Sequence, residues 1–122
     1  MTEAQDWPAL TTAINENLRE LRVGAPDVMK AFGALTMTAH AGKALDAKTK
    51  ELIALAIAVS SRCDDCIAFH VKASVDRGAT RDEIVETLGV AIYMGGGPSV
   101  MYASHALEAF SQFSAAKGER AA

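Results

Sequence analysis

Prolines and glycines divide this 122-residue sequence into segments whose apolar residues recur with the spacing of α-helices. The pattern predicts helices over residues 9–22, 26–40, 47–60 and 63–77. A fifth helix follows a capping-box sequence at residues 80–83, and a sixth begins at Pro98. Alanine is abundant, aromatic residues make up only 6% of the chain, and no segment alternates apolar and polar residues as a strand does. We therefore predict a single all-α domain spanning residues 1–122.

The predicted helices carry more apolar surface than so short a chain is expected to bury by itself. Half of the residues are hydrophobic, and the sequence LIALAIAV makes the third helix apolar on nearly all of its sides. We expect part of this surface to be buried between subunits of an oligomer. Four methionines, at positions 29, 37, 94 and 101, are interpreted as core residues.

The charge distribution excludes several classes of partner. The net charge is −3 and no basic run is present, so the sequence lacks the electrostatic features of nucleic-acid binding and of a polybasic membrane anchor. The longest apolar run, residues 52–59, is too short to span a bilayer, and the first residues do not resemble a signal peptide. These features predict a cytoplasmic protein.

Both cysteines of the chain and one of its three histidines lie within the sequence SRCDDCIAFH at positions 61–70. In the reducing cytosol such a close pair is typical of a redox or a metal site. Cys63, Cys66 and His70 would share one helix face, because residues three and four apart are neighbours on a helix. The thiols could then form a disulfide, or the three side chains could bind zinc with Glu51 or an aspartate as fourth ligand. A third interpretation is a pair of small buried apolar residues.

Opposing electrostatic effects act on the two thiols. The partial positive charge of a helix N-terminus favours a thiolate, mainly at Cys63, and His70 can accept a proton from Cys66 across one turn. The carboxylates of Asp64 and Asp65 disfavour a thiolate. These effects alone do not decide which cysteine is the nucleophile.

The wider pattern is Glu51 followed by Cys63, Cys66 and His70, with the spacing E-x11-C-x2-C-x3-H. It resembles the AhpD-like alkylhydroperoxidases of the carboxymuconolactone decarboxylase family, and residues 48–98 are similar to the core of that family. The resemblance implies a helical fold built around an antiparallel helix pair, assembled as a homotrimer or homohexamer. It also implies that Cys66 reacts with a small hydroperoxide, that Cys63 resolves the product as a disulfide, and that His70 and Glu51 relay the proton.

No cofactor or bound metal is implied by this resemblance. The electron donor would be a thiol reductant protein or a lipoyl-type protein. One position departs from the best-known peroxidase branch, which has histidine before the second cysteine where this chain has Asp65. We consider Asp65, His40 and Tyr93 as further residues lining the site. Two alternatives stay open: a helical oligomer that binds a metal or small ligand without redox chemistry, and a decarboxylase or lactone-acting enzyme.

Overall fold

A computed structural model describes residues 4–121, and within this range the chain forms six α-helices and no β-strand. The helices are α1 (Trp7–Gly24), α2 (Pro26–His40), α3 (Ala47–Ser60), α4 (Asp64–Asp76), α5 (Arg81–Gly95) and α6 (Gly97–Ala121). The all-α prediction is confirmed. Near the C-terminal end of α6, Lys117 Nζ donates to the carbonyl of Val75 at 2.9 Å.

The helix starts are fixed by local side-chain hydrogen bonds. Asp46 caps α3 by accepting from the backbone N–H of Thr49 at 2.8 Å. Thr80 and Glu83 form the predicted capping box of α5, in which each side chain accepts from the backbone of the other. These bonds satisfy N–H groups that have no partner inside a helix, so they set where each helix begins.

The core lies between α3, α4, α5 and α6, with α1 packed against α4 and α6. Only three residues join α3 to α4, so the two helices pack side by side as an antiparallel pair. Alanine lines the buried face of α6 at positions 103, 106 and 109, which lets the backbones of neighbouring helices approach closely. Trp7 closes one end of this core, with its indole N–H donating to Glu108 Oε1 at 2.7 Å.

The second helix stands apart from this core. Every residue of α2 is at least partly exposed, and its apolar residues Val28, Phe32, Leu35 and Met37 are between 61% and 76% exposed. Met94 and Met101 are also exposed and Met29 is only half-buried, so the interpretation of the four methionines as core residues is wrong for the single chain. Despite this apolar surface, none of the helices within residues 4–121 has the length and hydrophobicity of a membrane span.

Candidate functional site

A tight turn between α3 and α4 positions the first cysteine. The N–H of Cys63 donates to the carbonyl of Ala58 at 3.1 Å, and the N–H of Arg62 donates to the carbonyl of Val59 at 3.2 Å. This pair of bonds is a Schellman motif, which requires a left-handed residue just after the helix. Arg62 occupies that position with φ of 58°, although glycine is the residue that adopts it without a steric penalty.

Cys63 and Cys66 are joined by a disulfide across the first turn of α4. Cys63 is the N-cap residue of α4, and its sulfur accepts from the backbone N–H of Cys66 at 3.2 Å. The Cα atoms of the two cysteines are 5.2 Å apart, within the usual range for a disulfide. The helix start therefore brings both sulfurs together, as the three-residue spacing predicts.

Glu51 is buried, with 6% of its surface exposed, and its carboxylate lies between two histidines. Oε2 is 2.9 Å from Nδ1 of His70 on α4, and Oε1 is 2.8 Å from Nε2 of His40 at the end of α2. Lys50, the neighbouring residue on α3, donates to the carbonyls of Ala39 and Ala41 at 2.9 and 2.7 Å. The structure thus joins three helices around one carboxylate.

The hydrogen bonds assign the protons of both rings. A carboxylate only accepts, so Nδ1 of His70 carries the proton and Nε2 is left with the lone pair that can act as a base. Nδ1 of His40 faces the carbonyl of Thr36 at 2.8 Å and must donate to it. The contact from Nε2 of His40 to Glu51 therefore holds one further proton, as imidazolium with carboxylate or as imidazole with carboxylic acid. The hydrogen bonds to Thr36 and to Glu51 raise the pKa of His40 above 6.5.

Two recesses of about 250 Å³ each adjoin the two histidines that Glu51 contacts. The first recess is lined by Ala54, Ile57, Ala58, Ser61, Cys66 and His70. The second is lined by Ala39, His40, Lys50, Ile53, Ala54 and Ile57. Mostly apolar side chains line the first recess, so a small molecule entering it would contact Cys66 and His70 among apolar neighbours.

The structure does not bring every predicted residue to this site. Asp65 is exposed and does not line the recess of Cys66 and His70. Tyr93 is 83% exposed on α5 and lines neither recess, so the single chain does not support its prediction as a lining residue. Within residues 4–121, no three His, Cys, Asp or Glu side chains are arranged to hold a metal ion.

One contact next to the cysteines was missed by the sequence analysis. His105 on α6 approaches Asp64 with Nδ1 2.7 Å from Oδ1, and its ring lies against those of Trp7 and Tyr102. Asp64 and His105 are 41 residues apart, so no local spacing could have indicated the pair. When His105 is protonated, it offsets part of the negative charge that Asp64 brings to the thiols.

The sequence matches a known protein family. The sequence model of the carboxymuconolactone decarboxylase family matches residues 26–109, which is more than half of the chain. An uncharacterized protein of Cupriavidus necator is 42% identical over 110 residues, covering 90% of this chain and 97% of that protein.

Solved structures show the same relationship. A carboxymuconolactone decarboxylase family protein from Legionella pneumophila is 50% identical with a TM-score of 0.86, over 88% of this chain and 96% of that one. A family protein from Thermotoga maritima, for which involvement in an antioxidative response has been suggested, is 29% identical with a TM-score of 0.80. That match covers 91% of this chain and 94% of the Thermotoga chain.

Proposed function

Because the chain belongs to the carboxymuconolactone decarboxylase family, we propose that it is a thiol-dependent hydroperoxide reductase of the AhpD-like type. The observation that carries the proposal is the Cys63–Cys66 disulfide at a recess that also contains His70, whose ring is held by the buried carboxylate of Glu51. Cys66 is only partly buried and lines the recess, so a small oxidant or reductant can reach this disulfide more easily than one buried in the core.

The first step is ionisation of Cys66. Nε2 of His70 takes the thiol proton, and the imidazolium is stabilised by the charge-assisted hydrogen bond from Nδ1 to Glu51. Cys66 is the better candidate for the attacking thiol because it lines the recess with His70, four residues further along the same helix.

Oxidation then proceeds in two balanced steps. The thiolate attacks one oxygen of the hydroperoxide and the O–O bond breaks, which gives a sulfenic acid on Cys66 and an alkoxide that takes the proton from His70 as it leaves as alcohol. The Cys63 thiol next attacks the sulfenic sulfur, so the S–S bond forms and water leaves. An external dithiol of a reductant protein or a lipoyl-type donor returns two electrons and two protons.

Peroxide consumption by single-cysteine variants tests this proposal. We expect Cys66→Ser to abolish turnover, and we expect Cys63→Ser to consume one equivalent and retain a sulfenic acid detectable by mass spectrometry. A Cys66→Ser protein that consumes peroxide at the parent rate would refute the assignment. Activity of a double-cysteine variant towards a lactone or carboxylic acid substrate would favour the decarboxylase alternative. One tightly bound zinc per chain in protein purified without chelator would favour the metal-binding alternative.

We also propose that the chain works as a homotrimer or homohexamer in the cytoplasm. The exposed apolar residues of α2 support assembly, because a monomer rarely leaves such a surface in water. A cytoplasmic thiol reductant would keep the cycle running. Analytical ultracentrifugation of the parent and of Phe32→Asp tests the assembly. A monomeric parent would refute it, and dissociation of the variant would support α2 as part of the interface.

A further inference from the structure

Glu51 has two histidine partners, but the proposed thiol chemistry uses only one of them. His70 lies on the Cys66 side, whereas His40 lies in the second recess with 40% of its side chain exposed. The rings of His40 and His70 both contact the carboxylate of Glu51, so both imidazoles depend on the same buried group for a counter-charge. His40 is a partly exposed group that can exchange its proton with solvent.

We propose that His40 and His70 share Glu51 as a single counter-charge, so that ionisation of Cys66 drives a proton from His40 into solvent. His40 then acts as a positioning residue that couples the thiol to the pH outside the site. The inference rests on proton transfer from Cys66 to His70 in the proposed function.

The balance of protons follows from the contacts. Before ionisation, Cys66 carries its thiol proton, His70 is neutral, and one proton lies between His40 and Glu51. After ionisation, His70 is an imidazolium that donates to Oε2 of the same carboxylate. Two imidazolium rings on one carboxylate repel each other, so His40 releases its proton to solvent. One thiolate is formed for each proton released, and no electron is transferred.

The other groups around His40 do not replace this coupling. Its Nδ1–H donates to the Thr36 carbonyl, which carries no titratable proton. Lys50 on α3 is the nearby cation and opposes protonation of His40, but its ammonium group is bound to the carbonyls of Ala39 and Ala41. On its other side, Glu51 contacts His70 on α4, so the carboxylate links the two rings.

Histidine NMR titrations of the unmodified protein provide the first test. The chain has only three histidines, so labelled imidazole signals can be assigned individually. We expect the His40 titration midpoint to be about half a pH unit lower in the dithiothreitol-reduced protein than in the disulfide form. The protonated His70 disfavours a second positive charge on His40, and the nearby thiolate offsets only part of this repulsion. In Cys66→Ser the midpoint should be the same with and without dithiothreitol. Equal His40 midpoints in the two redox states of the parent would overturn the inference.

The second test uses the reciprocity of coupled equilibria. If ionisation of Cys66 disfavours protonation of His40 by some factor, protonation of His40 disfavours ionisation of Cys66 by the same factor. His40→Gln removes the competing proton. Below the His40 midpoint, iodoacetamide should therefore label Cys66 about threefold faster in this variant than in the parent, which corresponds to half a pH unit.

Lys50→Met is the matched control. It removes the two hydrogen bonds that hold the end of α2 against α3 but leaves His40 in place, so it should not accelerate labelling. A slower or unchanged rate in His40→Gln, or an equal acceleration in Lys50→Met, would show that His40 only holds α2 in position and would overturn the inference. No peroxide is present in either test, so failure of the peroxidase assay and failure of this coupling are separate results.

Discussion

Replacing Glu51 with glutamine separates the charge of this residue from its hydrogen bonds. The glutamine carbonyl can accept from Nδ1–H of His70, and its amide can donate to Nε2 of a neutral His40, so both contacts can be retained. What is lost is the negative charge that stabilises the His70 imidazolium. A hydrogen bond to a charged group contributes about 1.5–3 kcal/mol, whereas a neutral one contributes about 0.5–1.5 kcal/mol.

The midpoints of these two ranges differ by about 1.25 kcal/mol, which predicts roughly eightfold less Cys66 thiolate at a pH below its ionisation midpoint. The assay is the rate of iodoacetamide labelling from pH 5 to pH 9, in reduced protein that also carries Cys63→Ser so that only Cys66 reacts. We expect the midpoint of the labelling curve to rise by about one pH unit.

A change of charge elsewhere on the protein provides the control. Glu86→Gln removes one negative charge from an exposed position on α5, away from the two recesses, and should leave the labelling curve in place. At a pH above the His40 midpoint, where the charged His40–Glu51 pair no longer contributes, the free energy of unfolding of Glu51→Gln should stay near that of the parent. Glu51→Ala, which removes the carboxylate partner of both rings, should lose about 1–3 kcal/mol. If labelling of Glu51→Gln follows the parent curve at every pH, the buried carboxylate does not support thiolate formation.

Three further predictions follow from the geometry. Arg62→Gly should stabilise the protein by up to about 1 kcal/mol, because glycine adopts the left-handed backbone conformation without the steric strain of arginine, and this gain outweighs its added flexibility. Gly78→Ala should destabilise the protein, because Gly78 occupies the equivalent position after α4 with φ of 83°. Thermal melts measure both effects. Because the pKa of His40 is raised in the folded state, the pairing of protonated His40 with Glu51 stabilises the fold below pH 6.5, and this effect is lost as the pH rises through the folded-state pKa. The free energies of unfolding of the parent and of His40→Gln, measured in urea, should therefore differ most at low pH and converge as the pH increases. Asp65→Asn should move the Cys66 labelling curve to lower pH, and added salt should reduce the difference between the two curves because Asp65 is exposed.

Local sequence signals were sufficient for the helices. Proline and glycine positions, together with the capping residues at Asp46 and Thr80, act over three or four residues, so they predict helix boundaries without knowledge of the fold. The grouping of Cys63, Cys66 and His70 on one helix is local in the same sense, because it follows from the period of the helix. Glu51 was identified because the sequence resembles a known family pattern, and the residues next to it in the chain do not by themselves show that it is buried.

The sequence by itself therefore determined six helices, the thiol pair and the histidine one turn later. Only the tertiary structure decided that Glu51 binds His40 as well as His70, that His105 meets Asp64, and that Tyr93 faces solvent. These contacts join residues on different helices, and their partners depend on how the helices pack. Side-chain packing is a property of the whole fold, so the periodicity of one segment can place a residue on a helix face but cannot identify what that face meets.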